Sequence, residues 1–215
     1  MTNASNPVIA ILGGTGDQGR GLALQFGKAG LRVIIGSRST ERASSAAAEV
    51  GVEGMANADA AAAADVIIAA VPYEGHAELL KALADELAGK VLVDCVNPMG
   101  FDQRGPYPLR VPEGSAAEQA AALLPSTTVV GAFHHVSAKL LEDPEIGTFD
   151  LDVLVLGDDR EATDLVRALA ARIPGMRGIY AGRLRNCGQV EALTANLIAI
   201  NRRYKVHAGL RITDI

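Results

Sequence analysis

An apolar run at residues 8–12 enters the glycine turn Gly14-x-Gly16-x-x-Gly19, and a helix-period pattern through Leu22, Leu24 and Phe26 follows until Gly30. No other feature of the chain restricts its fold as strongly. Glycine at these positions permits a tight turn, lets backbone approach a bound pyrophosphate, and allows a helix to pack closely on a strand. The helix N-terminus adds unbonded N–H groups and the positive end of the helix dipole, which together favour phosphate. Such a triplet is weak evidence alone; here it gains weight from the strand and helix that flank it.

The alternation then repeats. Apolar strands are predicted at 32–35, 53–55, 66–71, 91–96 and 128–133, with helices at Thr40–Val50, 57–64 and 74–87. Because several of these runs are continuously apolar, both faces of the sheet must be covered, which means an α/β fold with a Rossmann-type, doubly wound, mainly parallel sheet. Residues 99–114 carry Gly100, Gly105, Pro106, Pro108 and Pro112 and read as a loop bordering a site, after which Ser115 and Glu118 form a capping box that opens another helix. Beyond an irregular piece come a strand at 151–156, a helix at 160–173, a short strand at 178–181 and a long helix with Val190, Leu193, Leu197, Ile200 and Tyr204 on one face. A boundary near Asp150 separates a dinucleotide-binding domain, 1–150, from a small C-terminal α/β lobe, 151–215, too short for a core of its own.

Composition removes several classes of function. A net charge of -5 argues against nucleic-acid binding, which needs clustered Lys and Arg. No apolar run reaches the length of a membrane span, and the polar opening, residues 1–7, lacks the basic and apolar parts of an export signal. A cytoplasmic protein is expected. Cys95 and Cys187 have neither the number nor the spacing of a disulfide framework or zinc site.

An NAD-binding chain places an acid on the ribose hydroxyls about 20 residues past the fingerprint. This chain has Gly36-Ser37-Arg38-Ser39 there, and Arg42 a turn later. Arginine beside a hydroxyl binds the extra phosphate of NADP by charge-assisted hydrogen bonds, so NADP is preferred over NAD; the competing explanation is a pair of solvated surface charges. Pro72 and Asn97-Pro98 close the fourth and fifth strands on the edge where open α/β sheets bind ligands, pointing toward a nicotinamide, although proline also simply ends strands.

With NADP bound, hydride transfer is the default chemistry. No tyrosine has a lysine four residues on, so the proton-donating pair of many carbonyl reductases is missing. An acceptor with its own conjugated ring needs only stacking against the nicotinamide. His134 and His135 follow a strand at the same edge, and His134 is the candidate catalytic residue facing an acceptor. The alternative is a buried histidine bonded to backbone. Neighbouring residues on extended chain point to opposite sides, so the pair does not make a metal site, and no metal is expected. The basic stretch 201–207 is either charge placement at a helix C-terminus or a contact for an anion.

The opening Ile11-Leu12-Gly13-Gly14-Thr15-Gly16-Asp17-Gln18-Gly19 and Gly36-Ser37-Arg38, with Ala70-Val71-Pro72, Phe133-His134, Gly157-Asp158-Asp159, Asn186 and Glu191, resemble the F420-dependent NADP oxidoreductases along essentially the whole chain. The resemblance implies hydride exchange between NADPH and the deazaflavin coenzyme F420. It places Thr15, Gly16, Asp17, Gln18, Ser37, Arg38 and Arg42 on the adenosine phosphate and pyrophosphate, Val71, His76 and Ala138 around the nicotinamide, and His134, Val136 and Leu210 beside the deazaflavin; the fingerprint glycines Gly14 and Gly19 and the strand-end Pro72 join the cofactor site, and the strand-end Asn97 the substrate site, by their position alone. It further implies a homodimer. The chain departs from the family pattern at Gly75, an insertion, and at His135 and Ser137, where a threonine and a proline are expected. Two readings compete with F420 reduction: an NADPH-dependent reductase of a small imine or ketone, and a non-catalytic NADPH-binding sensor.

Overall fold

The computed structural model describes residues 6–215; the first five residues, part of the opening read above against export, lie outside the described residues. In chain order the elements are β1 (Ile9–Leu12), α1 (Asp17–Lys28), β2 (Val33–Ser37), α2 (Thr40–Val50), β3 (Glu53–Ala56), α3 (Asn57–Ala63) and β4 (Val66–Ala69). Then follow α4 (Tyr73–Ala82), α5 (Ala84–Leu87), β5 (Val91–Asp94), a hairpin of β6 (Met99–Asp102) and β7 (Gly105–Pro108), α6 (Ala116–Leu123) and β8 (Thr128–Gly131). The chain closes with α7 (Ala138–Glu142), β9 (Leu151–Gly157), α8 (Arg160–Ala170), β10 (Met176–Tyr180), a single 3-10 turn at Leu184–Asn186, and α9 (Cys187–Tyr204).

Eight strands form one sheet in the order β10-β9-β8-β5-β4-β1-β2-β3, so the chain runs outward from β1 and then returns to its other side as β4. All neighbours are parallel except β8 and β9. Strand periodicity sorts the core: Ile9 and Ile11 face one apolar cluster with Leu22, Phe26 and Val166, whereas Ala10 and Leu12 face a second with Leu80, Ala117 and Val190. Helices therefore cover both faces, and the α/β doubly wound architecture is the one expected. The strand order reverses between β1 and β4, and the carboxyl ends of strands at such a switch point are where these sheets take ligands.

Three details differ from the sequence reading. Residues 99–114 are not simply a loop, because Met99–Asp102 pairs antiparallel with Gly105–Pro108. Pro106 and Pro108 sit in this isolated ribbon, where proline costs no central ladder bond. The helix expected at 74–87 turns at Leu83, and the irregular piece after Phe133 contains the short α7. Residues 151–215 extend the same sheet through β9 and β10.

Candidate active site

The glycine turn after β1 is packed on one side and open on the other. A Cβ placed on Gly19 would come within 2.5 Å of the Gly14 Cα, and one on Gly14 within 2.7 Å of the Ile11 carbonyl, so these two glycines are required by helix-on-strand packing. Gly13, at φ +68°, has Val71 directly against it. At Gly16 the nearest atom to such a Cβ is 4.0 Å away. Among the described residues nothing fills the space that Gly16 leaves and no side chain caps the start of α1 there, which is the shape and polarity that a pyrophosphate requires. The Asp17 carboxylate, the one acid in the first turn, is drawn to Arg20 at 3.2 Å and Lys139 at 3.3 Å.

At the end of β2, Ser37 is buried and its hydroxyl accepts from the Ser39 N–H at 3.3 Å, while Ser39 caps α2 by accepting from the Arg42 N–H. This capping puts Arg38 just ahead of the N-cap and Arg42 within the first turn of α2. Both are exposed, and among the described residues neither guanidinium has an ion pair. Two uncompensated guanidiniums and a serine at this edge suit a phosphate monoester.

Beyond the turn, residues that continue past β4, β5 and β8 are cross-linked along the carboxyl edge. The Gln18 amide donates to the Phe133 carbonyl at 3.2 Å, joining the start of α1 to the end of β8. Phe133 holds φ +62°, an uncommon conformation for a bulky residue, and it turns the chain into His134. The His134 carbonyl accepts from the Asn97 amide at 2.8 Å and from the Thr194 hydroxyl at 3.1 Å. Its ring is enclosed, with neither nitrogen hydrogen-bonded and Nε2 4.0 Å from the Glu191 carboxylate. Burial pushes the His134 imidazole down to about 4, so it is neutral at pH 7. His135 is likewise held near 4 by burial, and its Nε2 accepts from the Leu154 N–H.

His76 is also fully enclosed. Its Nε2 lies 2.6 Å from Asp94 and its Nδ1 3.3 Å from Gln119. Burial pulls this imidazole down, but the hydrogen bond and charge of Asp94 outweigh it and the net shift is upward. Glu191, on α9, reaches across to accept from the Ala116 and Ala117 N–H groups at the start of α6, and burial raises it to about 7.

The structure thus brings Gly14, Thr15, Gly16, Asp17, Gln18 and Gly19 together with Val71, Pro72, Asn97, His134, Val136 and Ala138 around one edge of the sheet. Leu210 joins the same edge, its carbonyl accepting from the Asp152 N–H at 2.8 Å at the start of β9. His76, His134 and Val136 are buried rather than presented to solvent. Asp94 and Thr194 were not singled out from the sequence. Each carries a signal in retrospect: Asp94 is a charge inside an apolar run, and Thr194 lies one helical turn from Glu191 among apolar positions. A hollow of about 330 Å³ lined by Asp158, Arg160, Arg167, Tyr180 and Arg183 lies at the opposite edge of the sheet, its arginines already paired with Asp158 or Asp164.

Residues 8–98 match the sequence model of the family described as NADP oxidoreductase, coenzyme F420-dependent. The chain is similar to the F420-dependent NADP reductase of Methanothermobacter thermautotrophicus, 43% identical over 96% of this chain and 95% of that one. The enzyme of the same name from Methanocaldococcus jannaschii is 41% identical over 96% and 98% of the two chains. A crystal structure from Arthrobacter sp. FB24, described as a candidate F420-dependent NADP-reductase, superposes with a TM-score of 0.83 at 29% identity and covers 95% of this chain and 98% of its own. By identity sustained along nearly its whole length, the chain belongs to the F420-dependent NADP oxidoreductase family.

Proposed function

We propose that this protein exchanges hydride between NADPH and coenzyme F420. The observation that carries the proposal is the contrast within the glycine turn, where Gly14 and Gly19 are demanded by packing but Gly16 faces open space; the two exposed arginines after β2, without an ion pair among the described residues, support it. Backbone N–H groups of the first turn of α1, residues 17–19, hold the pyrophosphate over the space at Gly16, and Ser37, Arg38 and Arg42 hold the phosphate of the adenosine ribose. Val71, Pro72 and Ala138 flank the nicotinamide, and His76 braces α4 against β5 through Asp94.

When bound, the nicotinamide and the deazaflavin supply the redox chemistry between them; the chain binds, orients and excludes water. Asn97 and Thr194 fix the His134 carbonyl, so His134 borders the acceptor through its backbone while its neutral ring stays enclosed. Val136 and Leu210 complete that side. In this arrangement the dinucleotide-binding part is 1–150, and the lobe 151–215 contributes the acceptor wall. The same reading carries a cytoplasmic location and a homodimer, the latter supported by Ile200 and Tyr204, which are 39% and 70% exposed on α9. Sedimentation checks the dimer.

Mixing purified protein with F420 and either NADPH or NADH tests the function. Loss of deazaflavin absorbance is expected with NADPH, and at least about tenfold more slowly with NADH, as loss of one charged phosphate contact predicts. No bleaching with either nucleotide overturns the proposal.

A further inference from the structure

The carboxylate of Asp152 is fully enclosed at the start of β9 and is the most heavily bonded acid in the described molecule. Arg177, its cross-strand neighbour on β10, donates Nε to Oδ1 at 2.6 Å and Nη2 to Oδ2 at 2.7 Å. The Ile212 N–H donates to Oδ2 at 2.6 Å, and Arg211 reaches Oδ1 at 3.3 Å. The guanidinium of Arg177 then donates to the Ile212 carbonyl at 2.9 Å, and the Asp152 N–H donates to the Leu210 carbonyl at 2.8 Å. A cross-strand ion pair needs only its two partners. Here four of the six bonds have one end in the segment that follows α9.

That segment is held at its other end as well. The Ala208 N–H donates to Asn201 at 2.6 Å, His207 lies 3.4 Å from the Ser137 hydroxyl ahead of α7, and Gly209 is pressed against Leu151. Lys139 of α7 reaches Asp17 in the glycine turn. Residues 207–212 therefore run along the carboxyl edge of the sheet, from beside α7 to the start of β9, with Leu210 between the two anchors. Burial of an ion pair contributes to stability only when every lone pair is used, and the tail supplies the donors that Arg177 cannot.

We propose that Asp152 and Arg177 are positioning residues: as a latch they fix residues 207–212 as the wall of the hydride-acceptor site, and so set how well the deazaflavin is seated without touching it. This rests on the function proposed above, and the acceptor is the only substrate it concerns. The Arg177 guanidinium keeps the Asp152 carboxyl ionised well below the usual carboxylate range, so the latch is closed at neutral pH.

Two variants test it: Asp152→Asn, which keeps shape but removes the charge, and Ile212→Pro, which deletes one tail N–H and leaves the ion pair intact. Ile212→Pro retains a folded protein even if Asp152→Asn does not. Amide exchange in residues 207–211 is expected to accelerate about tenfold or more in both. The KM for F420 is expected to rise about tenfold with a smaller change in kcat, while the NADPH dissociation constant stays within about twofold. Unchanged exchange overturns the latch. Faster exchange with an unaltered F420 KM, or an NADPH affinity that falls in step, overturns its role in seating the acceptor. Wild-type protein inert toward F420 is a separate result: it refutes the functional reading and the acceptor role together, while amide exchange, which needs no F420, still judges the latch.

Discussion

Gly16 and Gly19 sit three residues apart in one turn, yet a methyl group added to each has opposite consequences. Gly19→Ala puts a Cβ 2.5 Å from the Gly14 backbone, and because backbone cannot move aside as a side chain can, a loss of about 1–3 kcal/mol is expected in chemical denaturation. Gly16→Ala meets nothing closer than 4.0 Å, so stability is expected to change by less than about 1 kcal/mol. NADPH affinity, read by nucleotide fluorescence, is nevertheless expected to fall about tenfold or more, since about 1.4 kcal/mol of lost contact suffices. Retained affinity in Gly16→Ala would remove the pyrophosphate from this turn. Arg38→Ala bears on selectivity. It is expected to weaken NADPH by about 1.5–3 kcal/mol and leave NADH nearly unchanged, as befits a hydrogen bond to a charged group. Equal effects on both nucleotides would mean that the guanidinium recognises something other than the ribose phosphate. The glycines and Arg38 were legible in the sequence because each acts through its own backbone or its own charge. For His134 the sequence left burial as one of two open readings, and what decides it, the approach of Asn97, Thr194 and Glu191 from elsewhere in the chain, was not legible.

Among elements, the junction of α6 and α9 carries the clearest electrostatic consequence. Ser115 caps α6 through the Glu118 N–H, as the Ser-x-x-Glu spacing predicts, but the remaining first-turn amides are taken by Glu191 from α9. Burial raises Glu191 to about 7, so the folded state holds this proton more tightly than the unfolded chain does. The stability from that protonated carboxyl is present below its ordinary value of 4.5 and is lost as pH climbs through about 7. His134 and His135 slope the other way: each is held near 4, so their contribution is complete above 6.5 and is lost as pH falls. The two slopes oppose each other between roughly pH 5 and 7. Glu191→Gln removes one of them, and the melting temperature is expected to rise more steeply with pH across that window than in wild type. Parallel curves for the two proteins would place the Glu191 carboxyl in its ordinary range. The hairpin of β6 and β7 is the element the sequence concealed. Its prolines and glycines look like a loop because a two-stranded ribbon off the main sheet has no apolar alternation to reveal it.

On the scale of the molecule, one apolar cluster joins Ile9, Val93 and Val130 to Val153, Val166 and Met176, on both sides of residue 150. Calorimetry of the intact chain is therefore expected to show a single transition with matching calorimetric and van't Hoff enthalpies. A chain ending at 150 would leave β8 as a bare edge and is not expected to melt cooperatively. Two separate transitions in the intact protein would make the lobes independent units. What the sequence by itself determined was carried by short-range order: the strands of the main sheet and most of the helices, the phosphate-ready turn, and the cationic end of β2. These follow from glycine stereochemistry and from the two hydrophobic periods, which a dozen or so residues suffice to express. Only the tertiary structure decided which buried groups meet. Glu191 caps a helix that begins 75 residues earlier, Thr194 holds a carbonyl 60 residues away, and Asp152 is claimed by a segment 60 residues downstream. Such pairings have no local signature, because they exist only once the sheet has fixed where the returning chain must lie.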